Sequence, residues 1–170
     1  SDLQVLDLQQ NFITYLKKDE FSSAGLLNLQ RIFLKNSSLK EIHRDAFRDL
    51  KILIEIDLSG NYISVIPRDT FAGNDRLKVL ILNGNPLKQL FNEQFPALPH
   101  LRTLEMENCQ IHLIARDAFV HLDQLEKLNL RRNDMESLSE IVFMPILNLK
   151  ALSLEGNPWV CDCLLRGFRD

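Results

Sequence analysis

The chain has 170 residues, of which 45% are apolar and 25% are charged, and its formal net charge is −3. These values fit one domain with a sizeable core and argue against a uniformly basic channel for nucleic acid. No apolar run is long enough to span a bilayer, and no signal peptide or membrane anchor is present. Because the chain opens almost directly on a repeated segment at Leu3, we expect it to be an excerpt of a longer protein.

Seven copies of one segment follow each other along the chain, and each opens on a leucine. These are Leu3, Leu29, Leu53, Leu77, Leu101, Leu125 and Leu149, spaced 26 residues apart once and 24 thereafter. Residues 53–63 follow the L-x-x-L-x-L-x-x-N-x-L template, with isoleucine replacing leucine at two positions. The chain therefore resembles leucine-rich repeat proteins. This predicts an α/β-type solenoid of about seven 24-residue repeats, with a curved parallel β-sheet on the concave side and an irregular or short-helical convex side.

Within each copy, template positions 1, 4 and 6 are predicted to point into the stack, as at Leu77, Leu80 and Leu82. An asparagine then enters the turn at Asn11, Asn61, Asn85, Asn133 and Asn157, where its amide can satisfy buried backbone groups. Ser37 and Cys109 take this place in repeats two and five, so we expect a weaker hydrogen-bond ladder there. Cys109 is accordingly interpreted as a buried structural thiol.

A second apolar column lies on the outer side of the repeats, and its members are Phe21, Phe47, Phe71, Phe95, Phe119 and Phe143. Recurrence at one phase of the repeat predicts a packed aromatic spine. Three residues after each phenylalanine, most repeats hold an apolar residue, such as Leu50, Leu98 and Leu122. Asn74 takes this place in repeat three, which predicts a looser third outer loop.

The solvent-facing positions of the strands hold the candidate binding residues. Val79 and Ile81 form an apolar centre, with Phe33 nearby and charged residues around them. The full set of candidates is Phe33, Glu55, Asp57, Val79, Ile81, Glu105, Glu107, Lys127 and Arg131. An apolar centre with a charged rim is typical of a protein-recognition surface. Apolar β-branched residues also favour strands for reasons unrelated to binding, so the alternative of an ordinary sheet surface stays open.

Two other features bear on function. Asn36-Ser37-Ser38 is an N-x-S/T sequon just past a strand, so Asn36 is a candidate glycosylation site. The four histidines occupy different repeat phases and converge on no nucleophile, and no phosphate loop or metal constellation is apparent. We therefore expect no catalysis, no cofactor and no metal.

The last copy ends in the segment Asn157-Pro158-Trp159-Val160-Cys161-Asp162-Cys163, followed by Phe168. It resembles the opening of the cysteine-rich C-terminal cap of extracellular leucine-rich repeat proteins. The resemblance implies that Trp159 covers the open end of the stack and that Cys161 and Cys163 pair with cysteines beyond Asp170. A zinc site remains the alternative for two close cysteines, although no further ligand follows them. Residues 1–156 would then be the repeats, and residues 157–170 would begin a truncated cap.

Further likenesses are Leu58-Ser-Gly-Asn61, Phe71-Ala-Gly-Asn-Asp-Arg-Leu77, Asn85-Pro-Leu87, Leu98-Pro-His-Leu101 with Cys109-Gln-Ile111, and Phe168-Arg-Asp170. With Cys161-Asp-Cys163, these resemble the insect Kekkon family, although Slit-like, Toll-like and neuronal adhesion proteins share much of the pattern. The Kekkon resemblance implies an immunoglobulin domain and one transmembrane helix outside this chain. It also implies a location on the extracellular side of the plasma membrane.

On this basis, the predicted function is an ectodomain that binds another extracellular or cell-surface protein and modulates receptor signalling or adhesion. Its contact with membrane would come only through an anchor outside the chain, and nucleic acid is not an expected partner. A secreted matrix protein and an enzyme inhibitor are the alternatives, and self-association stays open.

Overall fold

The computed structural model describes residues 1–160, which contain eleven short strands and one 3-10 helix. In chain order these are β1 (Val5–Asp7), β2 (Tyr15–Leu16), β3 (Arg31–Phe33), β4 (Glu41–Ile42), β5 (Glu55–Asp57), β6 (Val79–Ile81), β7 (Gln89–Leu90), β8 (Thr103–Glu105), β9 (Leu113–Ile114), β10 (Lys127–Asn129), the 3-10 helix Glu140–Phe143, and β11 (Ala151–Ser153). Seven of the strands form one parallel sheet in the order β1-β3-β5-β6-β8-β10-β11. The predicted solenoid and its parallel concave sheet are confirmed.

The core follows the repeat template. Leu77, Leu80 and Leu82 are fully buried, as are the equivalent residues of the other inner repeats. At the two ends of the described chain the same positions are less covered, and Leu3 is 40% exposed. Each repeat thus buries its apolar side mainly against the next copy, as expected for a stacked array.

The asparagine ladder connects successive turns by hydrogen bonds. Asn61 Oδ1 accepts hydrogen bonds from the backbone N–H groups of Ser37 (2.9 Å) and Leu39 (3.0 Å) in the preceding repeat. Its Nδ2 donates to the carbonyls of Leu34 (2.9 Å) and Leu58 (2.8 Å). One buried side chain therefore satisfies four backbone groups that stacking has removed from water.

The two substituted rungs behave as predicted. Ser37 Oγ donates to the carbonyl of Leu8 at 3.0 Å, and Cys109 Sγ donates to the carbonyl of Leu82 at 3.2 Å. Both side chains are fully buried. Each is too short to reproduce the full set of bonds made by an asparagine, so the ladder continues more weakly through these two repeats.

One turn position adopts the left-handed backbone conformation in all seven copies. Its occupants have φ between 53° and 77° and are Gln10, Asn36, Gly60, Gly84, Asn108, Arg132 and Gly156. Only three of them are glycine, so four repeats accept the strain that a side chain brings to this conformation. The turn is therefore imposed by the stacking of neighbouring copies, which overrides local preference.

The aromatic spine is present but falls into two stacks within the described residues. Phe21, Phe47 and Phe71 stack with ring centroids 5.8 Å and 5.6 Å apart. Phe95 and Phe119 stack at 6.5 Å, and Phe119 and Phe143 at 6.2 Å. The interruption lies between Phe71 and Phe95, which is the junction of repeats three and four.

A second set of contacts breaks on both sides of repeat three. We call the pairs β2–β4 and β7–β9 the lateral ladder, because they flank the stack beside the main sheet. The ladder is continued by the N–H of His43, which donates to the carbonyl of Leu16 at 2.8 Å, and by that of Ala115, which donates to the carbonyl of Leu90 at 2.9 Å. Pro67 occupies this template position in repeat three. Since proline has no N–H, it cannot make the corresponding bond, and the ladder stops there.

Gln94 bridges the gap in the lateral ladder between repeats three and four. Its Nε2 donates to the carbonyl of Ile66 at 2.9 Å, and its Oε1 accepts from the N–H of Phe91 at 3.1 Å. The amide of a buried side chain thus stands between two backbone groups that would otherwise lack partners.

The outer loop of repeat three is tied down at Asn74, contrary to the looser loop expected from the sequence. Asn74 is buried, and its Nδ2 donates to the carbonyls of Phe47 (3.1 Å) and Leu50 (3.2 Å) in the preceding repeat. The Asn74 nitrogen is thus satisfied by carbonyls of the neighbouring repeat, whereas Asn74 Oδ1 is buried without a hydrogen-bond partner among the described residues.

Two findings concern the rest of the described chain. None of the helices in residues 1–160 has the length and apolarity that a membrane crossing requires.

Trp159 packs against the last repeat, partly buried, and its Nε1 donates to the carbonyl of Leu154 at 3.1 Å. The covering role of Trp159 stays a prediction, and Cys161 and Cys163 lie outside the described residues.

Candidate functional site

The main sheet brings most of the candidate residues onto one solvent-facing surface, which we call the concave face. Its outer column aligns Arg31, Glu55, Val79, Thr103, Lys127 and Ala151. A second column aligns Phe33, Asp57, Ile81, Glu105, Asn129 and Ser153. Glu107 and Arg131 stand two residues beyond the ends of β8 and β10. Period-two alternation along each strand explains this shared face.

Apolar residues occupy the N-terminal and central part of the concave face. Val79 and Ile81 are half-buried on β6, and Phe33 is half-buried on β3. Phe33 and Ile81 are separated only by β5, so roughly 10 Å of sheet lies between their backbones. Asp57 lies between them in the same register.

Asp57 pairs with no cation within residues 1–160, whereas the other two acidic candidates on the strands, Glu55 and Glu105, have basic partners. It instead accepts hydrogen bonds from the Ser59 hydroxyl at 2.6 Å and from the Ser59 N–H at 2.9 Å. These local bonds hold the carboxylate between two apolar neighbours. A donor or cation from outside the chain can still approach it.

The charged candidates on either side form ion pairs across strands, with one another or with Arg31. Arg31 Nε lies 3.7 Å from Glu55 Oε2, and Lys127 Nζ lies 3.2 Å from Glu105 Oε1. Glu105 also accepts from Asn129 Nδ2 at 2.6 Å. The basic members of these pairs are about half exposed, so each pair contributes little to stability and can exchange partners on binding.

A second group of charges closes the C-terminal end of the face. Arg131 Nε donates to Glu155 Oε2 at 2.7 Å, and this bond lowers the pKa of the Glu155 carboxyl and raises the pKa of Arg131. Arg132 Nε lies 3.8 Å from Glu107 Oε1. The basic end of the candidate surface is therefore largely neutralised from within.

The predicted set left out five residues whose side chains bond to side chains of the candidates, namely Arg31, Ser59, Asn129, Arg132 and Glu155. A signal for two of them was available: Arg31 and Glu55, and likewise Arg131 and Glu155, are opposite charges 24 residues apart. One repeat of separation places two residues side by side in a parallel stack. Applying that rule to every charged residue would have found both pairs.

Asn36, the sequon asparagine, is exposed at the left-handed turn after β3. Its Oδ1 lies against the backbone of Gly60 in the next repeat, in the space that a side chain at residue 60 would fill. A glycan on Asn36 would thus leave from the edge of the concave face, close to Phe33 in sequence.

The remaining reactive groups are dispersed. His43 Nδ1 accepts from the N–H of Asp45 at 3.0 Å, and His121 Nε2 lies 3.2 Å from Glu93 Oε1. Burial raises the pKa of the Cys109 thiol to about 11, which keeps it protonated and poorly nucleophilic at neutral pH. Within residues 1–160, no three His, Cys, Asp or Glu side chains gather as a metal site would require.

Comparison with known proteins agrees with this architecture. The model of the family described as "Leucine rich repeat" matches residues 27–87, 53–111 and 99–158. The chain belongs to the leucine-rich repeat family. Two curated relatives match over parts of this leucine-rich repeat chain. Mouse (Mus musculus) Podocan is 31% identical over 65 residues, or 38% of the chain and 11% of Podocan. The rat (Rattus norvegicus) leucine-rich repeat-containing G-protein coupled receptor 5 is 36% identical over 77 residues, or 45% of the chain and 8% of the receptor.

Solved structures match over nearly the whole chain. The structure of a TLR13–ssRNA13 complex has a TM-score of 0.87 and 33% identity, covering 92% of this chain and 22% of the other. The glycosylated Drosophila Toll–Spatzle complex has a TM-score of 0.85 and 26% identity, covering 96% of this chain and 22% of the other. The chain thus spans about a tenth of the two relatives and less than a quarter of the two matched structures.

Proposed function

We propose that the chain is part of an extracellular ectodomain of a cell-surface protein, which recognises another protein through the concave face and so modulates receptor signalling or adhesion. The observation that carries the proposal is the row Phe33–Asp57–Ile81. It sets an uncompensated carboxylate between two half-buried apolar side chains on adjacent strands. Such a row suits an apolar anchor of a partner that also brings a cation or a hydrogen-bond donor.

The comparisons support a receptor setting. One relative is named a G-protein coupled receptor, and one structural neighbour is a Toll–Spatzle complex. The finer proposals rest on the sequence. They are a Kekkon-like protein with an immunoglobulin domain, a single membrane anchor outside this chain, a cysteine-rich cap beginning at residue 157, and a glycan on Asn36. Cys161 and Cys163 would form the disulfides of that cap.

The choice of protein over nucleic acid rests on charge. The neighbouring TLR13 structure contains single-stranded RNA, but Asp57 presents a negative charge at the centre of this face, and Glu55, Glu105 and Glu107 lie around it. A phosphate backbone requires basic side chains that are free to neutralise it. Here Arg31, Lys127, Arg131 and Arg132 are already paired with carboxylates. No residue on this face suggests a reaction.

The test is a binding screen of the protein, with its natural flanking sequence, against a library of cell-surface ectodomains. Ile81→Arg and Phe33→Glu each place a charge in the apolar part of the row, and Asp57→Asn removes its carboxylate. We expect the first two to weaken a specific hit at least tenfold and Asp57→Asn to weaken it severalfold. Ser153→Arg is the matched control, since Ser153 lies in the same column at the far end of the sheet.

Folding of each variant is checked by its thermal midpoint. Unchanged affinity in all three row variants would move recognition to another face. Equal loss in the Ser153→Arg control would show a nonspecific charge effect. Tight binding of single-stranded RNA by the native protein would contradict the choice of a protein partner.

A further inference from the structure

The break in the spine and in the lateral ladder opens a cavity between repeats three and four. It has a volume of about 280 Å³ and lies beside Pro67, on the flank of the stack rather than on the concave face. The interrupted ring stacking between Phe71 and Phe95, and the absence of a lateral strand pair between repeats three and four, leave these two repeats less closely joined than their neighbours. The cavity is therefore a feature of the junction between repeats three and four.

The wall of the cavity is apolar. Ile66 comes from repeat three, while Leu87, Leu90 and Phe95 come from repeat four. Gln94 also lines it, but both ends of its amide are already bonded to backbone groups of Ile66 and Phe91. The interior accordingly offers contact area mainly to an apolar group. An engineered cavity of about 150 Å³ with such a lining binds benzene, so this one can hold a larger apolar group.

The mouth of the cavity combines apolar and cationic groups. Val65 and Phe91 line it, although 65% and 48% of their surface stays exposed to solvent. Arg68 also lines it, is exposed, and pairs with no acidic side chain of residues 1–160 at ion-pair distance. An unpaired guanidinium next to an apolar cavity is complementary to a molecule with an alkyl chain and an anionic head.

We propose that the cavity binds a single-chain anionic amphiphile, with the alkyl chain inside and its head on Arg68. A free fatty acid of medium length has this chemistry. The cavity shares no residue with the row Phe33–Asp57–Ile81 on the concave face, so this proposal and the proposed function can be tested separately.

The first experiment titrates the protein, in its natural sequence context, with hexanoate, octanoate, decanoate and dodecanoate below their micelle concentrations. We expect one molecule per chain and an affinity that rises about fourfold per methylene until the cavity is filled. Decanol, the neutral counterpart of decanoate, should bind more weakly because it cannot pair with Arg68. Vesicles of an anionic phospholipid form a second arm, and binding to them without binding to decanoate would overturn the proposal.

Variants locate the site. Arg68→Gln should abolish the preference for decanoate over decanol, and Arg116→Gln should leave it intact. Arg116 is the matched control because it precedes Phe119 as Arg68 precedes Phe71 but lies outside the cavity. Leu87→Phe should weaken decanoate at least tenfold by filling the cavity.

A measurement on the native protein guards against a variant that fails to fold. The methyl NMR signals of Ile66 and Leu90 should shift on addition of decanoate, whereas those of Ile42 and Leu16, at the same template position in other repeats, should not. Absence of binding by every alkanoate would overturn the proposal. So would equal shifts at all four residues, or decanoate affinity unchanged in a folded Leu87→Phe protein.

Discussion

The concave sheet and the lateral ladder are built from the same repeats, yet one is continuous and the other is broken. The sheet runs through seven strands without interruption, although its exposed positions hold residues as different as Phe33, Asp57 and Lys127. The lateral ladder stops at repeat three, where Pro67 offers no N–H to the carbonyl of Ile42 and the N–H of Phe91 bonds to Gln94 instead of Ile66. Backbone hydrogen bonds of the sheet do not depend on which side chain faces solvent, whereas the lateral ladder has few bonds per repeat and is weakened where a proline removes a donor.

The largest effect should come from removing one of the buried asparagines that join the turns of successive repeats. Asn61→Ala leaves the buried N–H groups of Ser37 and Leu39 and the carbonyl of Leu34 without their side-chain partner, while the carbonyl of Leu58 keeps the hydrogen bond from Asn85 Nδ2 at 2.9 Å. We expect the free energy of unfolding to fall by about 4 kcal/mol or more, since each unsatisfied group costs about 1–3 kcal/mol. Urea unfolding measures it.

Asn11→Ala is the control for this change. Asn11 holds the same template position in the first repeat, but it is exposed and its Nδ2 donates only to the carbonyl of Gln9, at 3.3 Å. We expect a loss below about 0.5 kcal/mol, as is usual for exposed positions. Similar losses at Asn61 and Asn11 would contradict a stabilising role for burial of the rung.

The next effect is a pH dependence carried by Cys109. Its pKa is raised from 9.0 to about 11 by burial, so the folded state holds a proton that the unfolded state releases in this range. Stability is therefore fully present below pH 9 and declines as pH rises toward 11. The loss is about 2–3 kcal/mol, since one pKa unit corresponds to about 1.4 kcal/mol.

Cys109→Ser supplies the comparison, because serine does not titrate and already serves at the equivalent Ser37. Chemical denaturation at pH 8 and at pH 11 should show a smaller loss of stability in the variant than in the native protein. Parallel losses in both proteins would assign the pH dependence to other groups.

A smaller effect separates the interior of an aromatic stack from its end. Phe47 stacks on both Phe21 and Phe71, while Phe95, beside the break, stacks only on Phe119 within the described chain. Phe47→Leu should cost about 1 kcal/mol more than Phe95→Leu, because an aromatic pair adds about 0.5–1.5 kcal/mol beyond its buried area. Equal costs in thermal or urea unfolding would show that the break has no energetic consequence.

The smallest effect is expected from repairing the break. Pro67→Ala restores an N–H opposite Ile42, gaining about 1 kcal/mol from a hydrogen bond and losing a similar amount to the greater freedom of the unfolded chain. Stability should thus change little, but the new amide should exchange with solvent slowly, like the amides of His43 and Ala115. Fast exchange at residue 67 would mean that the two repeats stay apart for a reason other than proline.

The repeat template was sufficient to predict the seven strands, the buried leucines, the asparagine rungs and the phenylalanine column. It succeeded because each of these features recurs at a fixed phase. It did not predict the break at Pro67, although the proline was visible, because the lateral ladder depends on a backbone donor that the template does not describe. Asn74 was misjudged for a related reason, since its carbonyl partners belong to the preceding repeat.

The position of the candidate surface could also be predicted from the repeat pattern. Alternation along each strand placed the candidates on one face, as the structure shows. Which charges remain free could not be read in the same way. Lys127 reaches diagonally to Glu105, 22 residues earlier, rather than to its neighbour in register. Such pairing depends on the length and direction of individual side chains.

The left-handed turn that recurs in every repeat also limits the order in which the copies can be arranged. The carboxamide of Asn36 occupies the space above Gly60, and a methyl group at residue 156 would lie 3.0 Å from Cγ of Arg132. In these two places a side chain at the glycine would crowd the preceding copy. A protein engineer who joined residues 29–52 to a copy without that glycine would have to move the Asn36 side chain, a demand that no single repeat reveals. Neighbouring copies must therefore be matched to each other at this turn, and the chain meets that demand without a glycine where Asn36 follows Gln10 and where Arg132 follows Asn108.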